Sequence, residues 1–171
     1  DSVAKAKNDG YIIGLQTVSL AINPGLFPRM PYDTLKDLDP IGMIASSQHV
    51  LVVNPSLPAK DVKELIALAK AKPGTLNYGS AGNGSTFHMS AELFKAVAGT
   101  EILHIPYRGG GPALNDTIAG QVNMSFPVLS AAKGMVDSGR LRALGVTGPQ
   151  RSPLMPTVPT IAEAGLPDYN F

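Results

Sequence analysis

Short apolar runs of β character recur along the chain, each followed by a stretch with helical spacing, and this alternation is what most restricts the fold. It predicts an α/β domain with a mainly parallel sheet, because parallel strands need a crossover between them and a helix is the usual one. Strands are expected at Tyr11 to Leu15, Ile41 to Ala45, Val50 to Val53, Leu76 to Tyr78, Ile102 to Ile105, Val122 to Phe126 and Arg142 to Val146. The clearest helix runs from Val62 to Lys70, with Val62, Leu65, Ile66 and Ala69 on one face, and Pro73-Gly74 stops it. Further helices are expected from Phe87 to Ala98 before Gly99, from Pro112 to a stop at Gly120, and from about Val128 to Asp137.

The 15 prolines gather in an early stretch (Pro24, Pro28, Pro31, Pro40) and a late one (Pro149, Pro153, Pro156, Pro159). They flank a continuous βα region. The expected organisation is therefore residues 1–40 as part of a first lobe, 41–146 as a complete second lobe, and 147–171 as a return segment to the first. Both ends read as cuts within a longer fold.

A chain of 171 residues with 44% hydrophobic content is long enough for one well-buried core. Its net charge of +1 leaves no electrostatic footprint for nucleic acid or an anionic membrane surface. With no cysteine, disulfides, thiolate metal sites and cysteine nucleophiles are excluded. No stretch approaches the roughly 18 apolar residues of a spanning helix.

Two loops could carry chemistry. The first is Asn77-Tyr78-Gly79-Ser80-Ala81-Gly82-Asn83-Gly84-Ser85-Thr86, small residues between a strand and a helix. Its glycines let backbone approach a ligand, Ser85 or Thr86 can cap the helix, and free amides at the helix start suit an anion. A tight turn with a good cap explains the same residues. No Lys-Ser or Lys-Thr pair closes it as a phosphate-binding Walker loop, and no Gly-x-Ser-x-Gly nucleophile elbow is present. Ser85 and His88 can touch on a helix, but no acid is positioned behind them.

The second loop, Pro106-Tyr107-Arg108-Gly109-Gly110-Gly111-Pro112, repeats the logic and adds a hydroxyl and a permanent cation. A lone loop arginine such as Arg108 is more often solvated than ligand-bound. At the carboxyl ends of parallel strands the two loops can converge on one ligand. His49, His88 and His104 lack metal-ligand spacing and are expected to be structural.

Several segments in order resemble the Bug-type solute-binding proteins of tripartite tricarboxylate transporters. These are Asp9-Gly10-Tyr11, Ala21-Ile22-Asn23-Pro24, Pro31-Tyr32-Asp33, Val52-Val53-Asn54-Pro55, Leu76 to Gly84 with His88 and Glu92-Leu93-Phe94-Lys95, Pro106-Tyr107 with Pro112-Ala113-Leu114, Gly139 to Leu144, and Arg151-Ser152-Pro153 followed by Pro156 to Thr160. The resemblance implies a periplasmic-binding-protein-like α/β fold, with one complete Rossmann-like lobe here and part of a second. It further implies a periplasmic receptor, without cofactor or catalysis, that passes a small dicarboxylate, tricarboxylate or aromatic carboxylate to membrane transporter subunits.

Carried over by position, the ligand contacts implied are Ser80, Ala81, Gly82, Asn83, Ser85 and Thr86, then Tyr107, Arg108 and Gly109, with Thr17 and Ser19 from the first lobe. Many members have an acid just after the strand that ends at Phe126, where it can receive a ligand's ammonium; Pro127 stands there in this chain. An amino-acid ligand is accordingly disfavoured. The resemblance also implies that these residues by themselves bind weakly. A micromolar complex is worth about 8 kcal/mol, and missing two or three charge-assisted hydrogen bonds at roughly 1.5 kcal/mol each brings it near millimolar. Self-association through an unfinished sheet edge is a further expectation. A sensor module would use the same pocket, whereas an enzyme acting on a phosphorylated substrate would need a base, nucleophile or metal constellation that the sequence does not offer.

Overall fold

The computed structural model describes all 171 residues, which fall into two compact units, 1–46 and 47–171. The second unit is built on a five-stranded sheet. Its strands are β1 (Val50–Val53), β2 (Asn77–Ser80), β3 (Leu103–Pro106), β4 (Met124–Ser125) and β5 (Arg142–Val146), arranged in the order β3-β2-β4-β1-β5. β2 pairs in parallel with both β3 and β4, while β1 runs antiparallel to its neighbours β4 and β5. Four strands thus share one direction. The amino end of β1 then lies beside the carboxyl ends of the others, since Val50 is in register with Val146.

Four helices cover the sheet: α2 (Val62–Ala71), α3 (Thr86–Ala98), α4 (Gly110–Ala119) and α5 (Leu129–Asp137). β1 is apolar on both faces, as a strand between two helical layers must be. Leu51 and Val53 enter the cluster holding Leu65 of α2 and Phe94 of α3, whereas Val50 and Val52 enter that of Leu114 of α4 and Leu129 of α5. Residues 147–171 pack on this unit as well, with Ile161, Leu166 and Tyr169 in the first cluster and Thr160 bridged to Val146.

Polar side chains fix the pieces that carry the loops. Asn54 Nδ2 donates to the carbonyls of Thr117 and Ile118, 2.9 and 3.0 Å away, holding the carboxyl end of α4 against the end of β1. Asn77 and Asn123 exchange backbone-to-side-chain bonds of 2.9 and 2.8 Å, and Ser125 Oγ donates to the Gly79 carbonyl at 2.9 Å. These contacts set the height of β2 relative to β4.

The first unit contains one helix, α1 (Ser19–Leu26), which has no side-chain cap, includes Pro24 and buries no residue fully. The strands expected at Tyr11 to Leu15 and Ile41 to Ala45 do not form. A strand exists only by pairing, and this unit offers no partner; Tyr11, Ile13 and Leu15, like Ile41, Met43 and Ile44, are largely exposed.

Candidate functional site

β2 and β3 are adjacent and parallel with Ser80 opposite Pro106, so the two glycine-bearing loops leave the sheet side by side. Tyr107 N–H donates to the Ser80 carbonyl at 3.0 Å, tying one loop to the other. A Cβ on Gly82 would sit 3.4 Å from the Tyr107 carbonyl oxygen, and one on Gly79 would lie 3.2 to 3.3 Å from Val122, Ala113 and Tyr107. The close approach of the loops depends on these small residues.

The first loop folds on itself before becoming α3. Ser85 is the cap: its Oγ accepts from His88 N–H at 3.3 Å and donates to the Gly82 carbonyl at 2.7 Å. The cap leaves the amides of Thr86 and Phe87 without a helical partner. Asn83 is exposed, and no hydrogen bond within the loop uses its N–H. Replacing Ser85 by alanine is expected to cost about 1 kcal/mol of stability, the usual worth of a helix cap. Urea denaturation of the variant checks it, and an unchanged midpoint would remove the cap from the account.

The second loop has no side-chain cap. Gly109 stands at the cap position with φ +116° and ψ 166°, and the first turn of α4 opens with the amides of Gly110 and Gly111 before Pro112, which has none. The helix begins two residues earlier than the proline suggests, because the glycines already adopt helical geometry. Arg108 is exposed and forms neither an ion pair nor a side-chain hydrogen bond. Tyr107 Oη donates to Asp116 at 2.7 Å; desolvation, then that carboxylate, push its phenol up to about 12, so it stays protonated.

Of the residues singled out by sequence, Ser80, Ala81, Gly82, Asn83, Ser85 and Thr86 therefore lie beside Tyr107, Arg108 and Gly109 at one end of the sheet. Ser80 is fully buried; its hydroxyl accepts from Gly82 N–H at 3.1 Å and meets His104 Nε2 at 2.6 Å, so it works inside the loop. Thr17 and Ser19 belong to the first unit, where Thr17 Oγ1 donates to Ser19 Oγ at 3.0 Å at the start of α1.

The three histidines, expected from their spacing to be structural, each touch this loop. His49 Nε2 lies 2.8 Å from Thr86 Oγ1, His88 Nδ1 accepts from Gly84 N–H at 3.2 Å, and His104 holds Ser80. The placement of His49 becomes visible only once β1 is known to run against its neighbours. No cluster of three or more metal-ligating His, Cys, Asp or Glu side chains occurs, and no helix is long and apolar enough to cross a membrane. An arrangement of unpaired amides and one free guanidinium is suited to holding an anion.

A family model described as "tripartite tricarboxylate transporter family receptor" matches residues 1–170. Among solved structures, the chain is 39% identical to R. palustris Rpa4515 with adipate, with a TM-score of 0.87 over 99% of this chain and 57% of that one. It is 28% identical to MatC from Rhodopseudomonas palustris with bound malate, with a TM-score of 0.80 over 90% of this chain and 51% of that one. The periplasmic binding protein BugD, also 28% identical, superposes with a TM-score of 0.92 over 99% of this chain and 56% of its own. The chain spans about half the length of the curated relatives it matches at 39 to 40% identity.

Proposed function

The chain belongs to the tripartite tricarboxylate transporter receptor family, and from that premise we propose that the protein captures a small carboxylate in the periplasm and delivers it to membrane transporter subunits. It acts as a receptor and not as an enzyme. The observation that carries this reading is the pairing of two glycine-rich helix starts on adjacent parallel strands, bonded to each other through Tyr107 N–H and the Ser80 carbonyl. The amides that the Ser85 cap leaves free and those of the uncapped α4 start can then serve one anion, each set favouring negative charge through its helix dipole.

In this reading Asn83, Thr86, Gly109 and the first turn of α4 supply backbone donors, Ser85 and Tyr107 shape the loops, and Arg108 adds the cation. Ser80 contributes through the loop it braces. Pro127 is buried and its carbonyl accepts from Val50 N–H at 3.0 Å, so that position offers no acid to an ammonium group. A carboxylate without an amino group fits best, as adipate and malate in the two related structures do.

Thermal unfolding of the intact protein with adipate, malate and an amino acid tests this. At ten times Kd a ligand stabilises by about 1.4 kcal/mol, a rise of roughly 3 to 5 °C for a protein of this size. A shift with a dicarboxylate is expected. Stabilisation by the amino acid alone would overturn the inference from Pro127, and no shift with any acid would overturn the receptor reading.

A further inference from the structure

Beneath the first loop lies a column of three stacked rings on three different elements. Tyr78 of β2 and His104 of β3 stack with centroids 4.8 Å apart and planes at 15°, and His88 of α3 covers the other face of His104 at 4.3 Å and 23°. Both histidines end on the loop: His104 Nε2 on Ser80 Oγ, which receives Gly82 N–H, and His88 Nδ1 on Gly84 N–H. The amides on either side of Asn83 are thus drawn inward through the two imidazoles. That of Asn83 is left over.

The charged groups around the column are few. Glu92 of α3 accepts from Tyr78 Oη at 2.6 Å and from Lys95 Nζ at 2.7 Å, and Lys95 lies 5.8 Å above the Tyr78 ring. Glu92 is therefore already paired with Lys95, and its remaining pull toward a charged imidazole is outweighed by desolvation of the rings. A face-to-face pair of rings 4.3 Å apart does not accommodate two charges, and a ring protonated at Nδ1 cannot accept from Gly84.

We propose that His88 and His104 are the positioning residues of the anion-binding loop, and that they hold it in its ligand-accepting form only while both rings are uncharged. The inference rests on the carboxylate reading above and adds to it a control by protons: acidification occupies His88 Nδ1 and so frees Gly84, puts charge into the stacked pair, and slackens the loop. The direction of titration agrees. Desolvation holds His88 below the ordinary histidine range, and desolvation followed by the charge of His88 lowers His104 to about 4.

The test is calorimetric titration of adipate into the intact protein as wild type, His88→Ala, His88→Asn, and the double variant His88→Asn, His104→Gln. An asparagine oxygen can take the place of Nδ1 and a glutamine amide that of Nε2, and neither titrates. Near pH 7, His88→Ala is expected to bind about five- to tenfold more weakly, and His88→Asn to recover most of the loss. Between about pH 7 and about pH 4.5 the wild type is expected to lose affinity severalfold more than the double variant, adipate's own protonation being common to both.

Parallel losses in wild type and double variant, or wild-type affinity in His88→Ala, would overturn the proposal. If adipate binds none of the proteins, the carboxylate reading fails separately. The latch is then decided without ligand by NMR, in which the Gly84 amide resonance should move together with the His88 ring nitrogens as pH falls. A Gly84 amide indifferent to that titration would overturn it as well.

Discussion

Replacing Gly109 by alanine is expected to abolish most carboxylate binding, weakening adipate about a hundredfold, and to cost a further 1 to 3 kcal/mol of stability. The residue sits at φ +116° and ψ 166°, a region open in practice only to glycine, while a Cβ there would meet nothing within 4 Å. Space is thus not the obstacle; the backbone is. An alanine must rotate its own φ to a negative value, and the peptide planes on either side turn with it. Those planes carry the amides of Gly109 and Gly110 at the uncapped start of α4.

Losing two charge-assisted bonds of roughly 1.5 kcal/mol each gives the hundredfold figure. Gly134→Ala is the matched control, since that residue lies inside α5, outside both loops, and its Cβ also meets open space. It should leave binding close to wild type. Should Gly109→Ala bind adipate normally, the second loop would not belong to the site.

How far the sequence speaks for the structure depends on where each signal originates. β1 and β5 form over the residues expected, because runs such as Val50-Leu51-Val52-Val53 bury both faces and Gly or Pro punctuation bounds them. α2 and α3 fall within a residue of expectation for the matching reason: Asp61 and Ser85 cap them and Gly99 ends α3 in the left-handed region. Local chemistry decides those positions. The direction of β1, by contrast, depends on pairing with residues far along the chain, and nothing within Val50–Val53 encodes it.

The same distinction separates the two parts of the site. The glycine loops are local and were legible from Gly82, Gly84 and the Gly109 run. The histidine column joins Tyr78, His88 and His104, which lie on three elements and meet only because β2 and β3 pair with Tyr78 opposite His104. Spacing rules look for metal ligands within a segment and pass over such a stack. For Tyr11 to Leu15 and Ile41 to Ala45 the apolar pattern is genuine, but pattern alone forms no strand where no neighbour offers hydrogen bonds.

His49 supplies the second large expected effect, a loss of about 3 kcal/mol of folding stability between about pH 7 and about pH 4. The residue is 6% exposed at the amino end of β1, bonded to Thr86 Oγ1, with the Phe87 ring edge-on 5.6 Å away. Desolvation lowers its imidazole from 6.5 to about 4 in the folded protein. Above the unfolded value both states are neutral and pH has no influence. Between the two values only the unfolded chain takes up the proton, so stability falls as pH falls; below the folded value both states are charged and the loss levels off.

Carboxylates held low in the fold, Glu92 and Glu163 among them, act in the same direction and must be subtracted. His49→Gln does this, because the glutamine amide can reach Thr86 as Nε2 does but cannot titrate. Urea denaturation of both proteins across this range should give a stability difference that changes by about 3 kcal/mol in favour of the variant as the solution is acidified. A difference that stays constant would mean that His49 takes up its proton in the folded state as readily as in the unfolded chain, and the buried neutral contact with Thr86 would have to be abandoned.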